Sequence, residues 1–212
     1  MQKQEEQAPV YLQLDQTQQQ EAQHLTPERR LLRFPFSRTV KSLLQSFVNV
    51  NKLKRELATS DWILSKGRFD LILRESAEWE LCYLPVSVKD KVVLDVGAGE
   101  GETAKFFLDH GARRVICIES DSAAFTFLHR NAGEHGFTAI QKRFDLTDLK
   151  EFNFDFLKID VEGYEEVLLD TVLRTPAVLE VHGFQLREKF AQRGYRIDKR
   201  SRGCTCYAYW MC

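Results

Sequence analysis

A chain of 212 residues with 43% hydrophobic residues can bury a full core and has an ordinary globular composition. Its 30 Lys and Arg balance 31 Asp and Glu, and the net charge of −1 excludes a chain-wide field that would attract nucleic acid. No stretch approaches the roughly 18 apolar residues of a membrane span, no apolar signal segment opens the chain, and five cysteines form no disulfide framework. We therefore expect a cytoplasmic protein with no transmembrane segment.

The N-terminal residues divide into a tail and an accessory region. Residues 1–24 contain nine glutamines and few large apolar side chains, so we expect this tail to be disordered. In the accessory region, residues 25–85, the stretch from Thr26 to Ser60 has apolar residues at helical spacing and carries eight basic residues against two acidic ones. This basic stretch predicts either a surface that docks RNA or a membrane, or a packing helix with a solvated face.

Two short runs follow the basic stretch. Arg68 to Arg74 and Glu78 to Leu84 alternate apolar and polar residues around a turn, which predicts a β-hairpin that ends at Pro85.

From residue 86 to the C-terminus, strand patterns alternate with helix patterns. This alternation predicts a Rossmann-like, doubly wound α/β sheet that is mainly parallel. The predicted strands are Lys91–Val96, Arg114–Ile118, Thr138–Lys142, Phe154–Ile159 and Ala177–Val181, and the predicted helices are Glu102–His110, Ser122–His135, Gly163–Leu173 and Gln185–Arg193. Tyr195–Lys199 and Thr205–Trp210 predict a closing antiparallel hairpin.

A polar side chain ends each of the five predicted parallel strands. These residues are Asp95, Glu119, Asp145, Asp160 and His182. Because the carboxyl ends of parallel strands share one edge of the sheet, and ligands bind in the crevice there, we expect a site at this edge. Each residue taken singly could instead be a helix N-cap.

The loop after the first strand reads D-V-G-A-G-E-G, from Asp95 to Gly101. A dinucleotide loop needs G-x-G-x-x-G, but Glu102 stands at the third glycine position and would repel a pyrophosphate. An acid-flanked loop suits the sulfonium and amino groups of S-adenosylmethionine better. Glu119 is placed to accept hydrogen bonds from both ribose hydroxyls, a use that NAD sites share. The loop therefore favours S-adenosylmethionine over NAD.

Three motifs carry a family resemblance. D-V-G-A-G-E-G resembles motif I of the class I S-adenosylmethionine-dependent methyltransferases. D-F-L-K-I-D-V-E-G-Y-E, from Asp155 to Glu165, and P-A-V-L-E-V-H, from Pro176 to His182, resemble the FkbM-like family of these enzymes. The resemblance covers roughly Lys91 to Phe184.

The resemblance implies roles for the residues that match these motifs. The methionine part of the cofactor is expected at Asp95 and the glycine loop, the ribose at Glu119, and the adenine amino group at Asp145, although Asp145 could instead cap a turn. The full set of expected cofactor-binding residues is Asp95, Gly97, Ala98, Gly99, Gly101, Glu119, Ser120, Asp145, Leu146 and Asp160.

Methyl transfer to a hydroxyl also needs a proton acceptor. The candidate catalytic residues are His182, Asp160 and Glu162, of which His182 and Asp160 are the candidate bases, but Glu162 could simply begin a helix. The same three residues could bind a divalent cation, although the expected metal assignment is none. Lys158 is either a paired charge or a site group, and the C-x-C at Cys204 and Cys206 is too short a pattern for zinc.

The resemblance implies O-methylation of a small-molecule or glycan hydroxyl. One alternative is an RNA or protein methyltransferase that docks its substrate on the stretch from Thr26 to Ser60. Another is a non-catalytic module that binds S-adenosylmethionine.

Overall fold

The computed structural model describes residues 62–65, 67–68, 72, 79–198 and 205–211. The chain separates into the units Met1–Ser60 and Asp61–Cys212, and every described residue belongs to the second unit. The expected tail, the basic stretch and Cys204 lie outside the described residues, so the predictions made for them stay predictions.

The prediction of a second β-hairpin strand from Glu78 to Leu84 is wrong. Trp79–Tyr83 form helix α1, and the described positions Arg68 and Ile72 also have helical conformation. The buried residues Trp79, Cys82 and Tyr83 follow one another at spacings of three and one, which place them on a single helical face, while Leu81 is exposed. The apolar residues that predicted a strand thus belong to one face of a short helix, because a run of so few residues fits either spacing.

The main domain alternates strands with helices as the pattern predicted. Its strands are β1 (Val92–Val96), β2 (Arg114–Glu119), β3 (Thr138–Gln141), β4 (Phe156–Ile159), β5 (Ala177–His182), β6 (Arg196–Ile197) and β7 (Thr205–Trp210). Its helices are α2 (Glu102–Asp109), α3 (Ser122–His135), α4 (Asp148–Glu151) and α5 (Phe184–Gln192), with a 3₁₀ helix at Tyr164–Leu168. The expected helix from Gly163 to Leu173 is thus a single short 3₁₀ helix, and α4 was not predicted.

Within the described residues, the seven strands form one sheet in the order β3-β2-β1-β4-β5-β7-β6. Strands β1 to β5 pair in parallel, whereas β7 pairs antiparallel with both β5 and β6. The expected mainly parallel sheet with a closing antiparallel hairpin is therefore confirmed. The direction of strand succession reverses between β1 and β4, where doubly wound sheets open a ligand crevice.

The core lies on both faces of the central strands. Every residue of β4 is buried, as are Val93, Leu94 and Val96 of β1 and most of β2. Such continuous apolar runs are typical of parallel strands covered by helices on both sides. No helix among the described residues is long and apolar enough to cross a membrane.

Candidate functional site

The glycine loop, residues 97–101, follows β1 and needs its three glycines. Gly97, Gly99 and Gly101 have φ angles of 71°, 57° and 99°, a region that other residues rarely adopt. A Cβ at Gly97 would also lie 1.7 Å from the carbonyl oxygen of Asp160. The loop after β1 therefore lies directly against the residue that follows β4.

All five amide groups of the glycine loop donate to acceptors within the protein. Gly97 N–H donates to Ile118 O at 2.9 Å and Ala98 N–H to the same oxygen at 3.3 Å. The amides of Gly99, Glu100 and Gly101 donate to Glu119 Oε2 (2.9 Å), Glu102 Oε2 (2.9 Å) and Ala98 O (3.0 Å). A phosphate-binding loop presents its amides to the ligand, so this arrangement does not suit a pyrophosphate.

A buried ion pair supports the loop from below. Lys158 Nζ lies 3.1 Å from Asp95 Oδ1 and donates to Gly97 O at 2.8 Å, and both side chains are buried. Thr103 Oγ1 donates to the other oxygen of Asp95 at 2.6 Å. Burial opposes the charged form of Lys158, but the attraction of Asp95 and Asp160 outweighs it, and the pKa of Lys158 is raised. Lys158 is therefore a paired charge.

The other expected cofactor residues differ in their surroundings. Glu119 ends β2 and accepts from the amides of Gly99 and Asp121, which fixes its carboxylate beside the loop. Asp145 instead accepts from Thr147 N at 2.8 Å, and hydrogen bonds from Thr147 lower the pKa of Asp145. Asp145 thus caps a turn within its own segment, and its role at adenine stays a prediction.

Residues upstream of α1 contact the glycine loop, which sequence reasoning missed. Ser65 donates to Glu100 through its amide and its hydroxyl, both at 2.6 Å, and Arg68 forms an ion pair with Glu102. Asn131 of α3 accepts from Ile63 N and donates to both Ile63 O and Glu100 O, each at 2.8 Å. Glu102, expected only to repel a pyrophosphate, therefore also anchors an upstream segment.

Five titratable side chains lie together at the carboxyl ends of β4 and β5, and we call this group the acidic cluster. It consists of Asp160, Glu162, Glu165, Glu180 and His182. One side-chain oxygen or nitrogen from each of Asp160, Glu180 and His182 lies within 4.8 Å of the other two. His182 Nε2 also lies within 4.0 Å of carboxylate oxygens of Asp160 and Glu162, so the structure brings the three candidate catalytic residues to one place.

His182 is held by carboxylates on both ring nitrogens. Nδ1 lies 3.1 Å from Glu165 Oε1, and Nε2 lies 3.6 Å from Glu162 Oε2 and 4.0 Å from Asp160 Oδ1. The hydrogen bond to the buried Glu165 is the main cause that raises the pKa of His182 to about 9. The ring is consequently an imidazolium at neutral pH, with no lone pair to accept a proton.

Two carboxyl groups of the acidic cluster, those of Asp160 and Glu180, have raised pKa values, which favour their neutral form. Burial raises the pKa of Asp160, although Lys158 and His182 lower it. Burial, followed by repulsion from Asp160, raises the pKa of Glu180 to about 7. The cluster therefore contains a carboxyl group that exchanges its proton near neutral pH.

Sequence reasoning missed Glu180, Glu165 and Tyr83, whose hydroxyl donates to Glu180 Oε2 at 2.9 Å. The period of two along β5 could have identified Glu180, because Glu180 and His182 share a face. Tyr83 could not be found, because its segment was predicted to be a strand.

A cleft of about 490 Å³ opens beside His182 and is lined in part by Gly163, Gly183 and Phe184.

Residues 83–197, more than half of the chain, match the family described as "Methyltransferase FkbM domain". The chain is also 32% identical over 104 residues to histone-arginine methyltransferase CARMER of Drosophila mojavensis, which covers 46% of this chain and 19% of that protein. The protein of the same name from Drosophila virilis is 31% identical over a stretch of equal length. This chain thus spans about a fifth of the length of these curated relatives.

One solved structure shares the fold, and a second is similar to a lesser degree. Fibrillarin from Aeropyrum pernix, described as carrying natively bound S-adenosyl-L-methionine, superposes with a TM-score of 0.50 at 15% identity, covering 64% of this chain and 73% of that one. The ribosomal protein L11 methylase of Lactobacillus delbrueckii subsp. bulgaricus has a TM-score of 0.47 at 21% identity, covering 65% of this chain and 78% of that one. At 15% identity, the match to fibrillarin indicates similarity of fold alone.

Proposed function

This chain belongs to the FkbM family of class I S-adenosylmethionine-dependent methyltransferases, and we propose that it transfers a methyl group to a hydroxyl of a small molecule or glycan. The observation that carries the proposal is the contact between the glycine loop and Asp160, where a Cβ on Gly97 would lie 1.7 Å from the Asp160 carbonyl oxygen. That contact joins the expected cofactor loop to the acidic cluster, so that the methyl donor and the proton-accepting groups would be neighbours.

The chemistry of the glycine loop fits S-adenosylmethionine. The loop offers no unused amide to an anion, and four carboxylates lie around it. Asp95 and Glu102 are paired with Lys158 and Arg68, whereas Glu100 and Glu119 accept from neutral donors and keep their negative charge. These groups favour a ligand with a positively charged centre, and the left-handed glycines let such a ligand approach the backbone. When bound, S-adenosylmethionine supplies an electrophilic methyl group on a sulfonium.

In this proposal Glu119 binds the ribose hydroxyls through acceptor positions that its two backbone hydrogen bonds leave open. The acidic cluster and the cleft beside His182 hold the acceptor. Alignment of the acceptor oxygen with the methyl group, and removal of its proton, are the two tasks that these residues perform.

The test combines binding with turnover. S-adenosylhomocysteine at 100 times its dissociation constant should stabilise the chain by about 2.7 kcal/mol, which a thermal-shift titration measures. Transfer of tritiated methyl groups would then be followed with polyhydroxylated small molecules and oligosaccharides. Absence of any thermal shift would refute the cofactor assignment, and a shift without methylation of any hydroxyl acceptor would refute the acceptor class.

A second candidate is methylation of protein arginine. The observation that favours it is the 32% identity over 104 residues to histone-arginine methyltransferase CARMER, together with four carboxyl groups that could surround a guanidinium. Arginine-rich peptides in the same tritium assay separate the two candidates.

The same assay with RNA tests the predicted basic stretch from Thr26 to Ser60. Methylation of RNA would be compared between the wild type and a variant in which Lys52, Lys54 and Arg55 are replaced by Ala.

A further inference from the structure

We propose that Glu180 is the catalytic base, the group that removes the proton from the acceptor hydroxyl as the methyl group is transferred. This assignment rests on the proposed hydroxyl methylation and concerns a residue outside the predicted catalytic set of His182, Asp160 and Glu162.

The position of Glu180 on β5 carries the assignment. Leu179 and Val181, its neighbours along the strand, are fully buried in the core, whereas Glu180 and His182 are only partly buried. One carboxylate oxygen of Glu180 is within 4.8 Å of side-chain atoms of both Asp160 and His182. The carboxylate of Glu180 therefore lies close to Asp160, the residue whose backbone contacts the glycine loop. In the proposed function, the acceptor oxygen and the methyl group meet beside this contact.

The other members of the acidic cluster are less suited to accept a proton. His182 is already protonated, because Glu165 holds Nδ1 at 3.1 Å. Burial raises the pKa of Asp160, but the ammonium group of Lys158, 4.0 Å away, and the charge of His182 oppose this rise and limit the strength of Asp160 as a base. The side chain of Glu162 is 87% exposed, so water solvates its charge.

The groups around Glu180 keep its carboxyl group near the midpoint of its titration. Tyr83 of α1 donates to Oε2 at 2.9 Å, and Tyr207 of β7 lies opposite Glu180 in the strand register. The charge of Lys158 comes from β4, that of Asp160 from the residue directly after β4, and that of His182 from β5. Burial and the repulsion of Asp160 prevail over the stabilising groups and raise the pKa of Glu180 to about 7, which is the value a base needs at neutral pH.

The proposed step balances in atoms and electrons. The acceptor O–H bond breaks and its proton moves to a carboxylate oxygen of Glu180. The acceptor oxygen forms a bond to the methyl carbon, while the carbon–sulfur bond breaks and leaves its electron pair on sulfur as a neutral thioether. The positive charge of the sulfonium thus ends as the proton on Glu180, and no further reactant is needed.

The decisive variant is Glu180→Gln, which keeps the shape and can still accept a hydrogen bond from Tyr83, but cannot take up a proton. We expect kcat to fall by about 10²- to 10⁴-fold, with the thermal shift caused by S-adenosylhomocysteine unchanged. Glu180→Asp should recover part of the rate. The exposed Glu151 of α4 supplies the control, because Glu151→Gln should leave kcat unchanged.

A second readout does not need turnover. Infrared titration of protein labelled with ¹³C-glutamate should show one carboxyl group that titrates near pH 7, and Glu180→Gln should remove it. The assignment is overturned if this titration is absent, or if Glu180→Gln keeps kcat within about threefold of the wild type, a change too small for a lost general base.

The divalent-cation alternative gives a distinct outcome. Manganese binding followed by electron paramagnetic resonance, together with loss of turnover in a chelator, would make Glu180 a metal ligand and overturn its assignment as the base. Wild-type protein that binds S-adenosylhomocysteine but methylates no hydroxyl would instead refute the proposed function, so the two failures are distinguishable.

Discussion

The glycine loop and the acidic cluster are in contact, yet they are built on opposite principles. In the loop every amide group has a partner, and the charges of Asp95 and Lys158 beneath it are fully paired and buried. In the cluster, carboxyl groups compete for few cations, and the pKa values of Glu180 and His182 are raised to about 7 and about 9. The difference indicates that the loop is shaped to hold a ligand, whereas the cluster retains groups that can still exchange protons.

The contact between the two regions offers the largest expected effect. Gly97→Ala would place a methyl group 1.7 Å from the backbone oxygen of Asp160 at a φ of 71°. We expect a loss of more than about 4 kcal/mol in the free energy of unfolding, measured by urea denaturation. The control is Gly133→Ala in α3, where an added Cβ would have no atom within 4 Å. This substitution should stabilise the helix by about 1 kcal/mol, because alanine has the higher helix propensity. Normal stability of Gly97→Ala would show that the two regions can separate.

The next effect is the loss of stability when the ion pair of Lys158 and Asp95 beneath the loop is broken. Lys158→Met leaves the buried carboxylate of Asp95 without its cation and should cost about 3–5 kcal/mol of unfolding free energy. Adding Asp95→Asn removes the orphaned charge, so the double variant should regain part of that loss. A double variant no more stable than Lys158→Met would contradict the pairing.

A smaller effect concerns cofactor binding alone. Glu119→Gln weakens the acceptor that Gly99 and the expected ribose share, and we expect the dissociation constant of S-adenosylhomocysteine to rise about 10- to 100-fold by isothermal titration calorimetry. Asp121→Asn, two residues along, keeps a side-chain oxygen to cap α3 and should leave the constant unchanged. Equal affinities for Glu119→Gln and the wild type would remove Glu119 from the cofactor site.

The smallest effect is the pH dependence of stability that His182 confers. Because the folded-state pKa of about 9 exceeds the ordinary histidine value of 6.5, this stabilisation is complete below about pH 6.5 and is lost as the pH rises through about 9. His182→Gln should therefore flatten the fall of Tm between pH 7 and pH 10 (roughly the span of the His182 titration). His129→Gln, at an exposed histidine of α3, should retain the wild-type slope.

The sequence predicts most of the fold because strands and helices leave local periodic signals. The bounds of α3 and β7 agree residue for residue with the prediction, since capping at Gly136 and alternation along β7 are encoded within a few positions. The segment before Pro85 was mistaken because five residues of helix and a short alternating strand look alike.

The candidate site was predictable only where motifs lie on strand ends. Asp160, Glu162 and His182 lie near one another in the structure, and their catalytic roles stay predictions; their proximity was predictable because strand order follows from the α/β pattern. The ionisation of His182 was not predictable, since it depends on Glu165, whose side chain is directed back by a short 3₁₀ helix. Contacts such as Ser65 with Glu100 join residues 35 positions apart and leave no local signal.

The side chain of Asn131 has a thermodynamic consequence. Its three hydrogen bonds join the backbone at Ile63 to the backbone of the glycine loop at Glu100. A ligand that orders the loop at Glu100 should therefore also stabilise the hydrogen bonds at Ile63, and linkage makes the effect reciprocal. The factor by which these hydrogen bonds raise the ligand affinity equals the factor by which the ligand stabilises them. Ligand binding at the loop should therefore slow hydrogen exchange at the amide of Ile63, although Ile63 lies outside the loop.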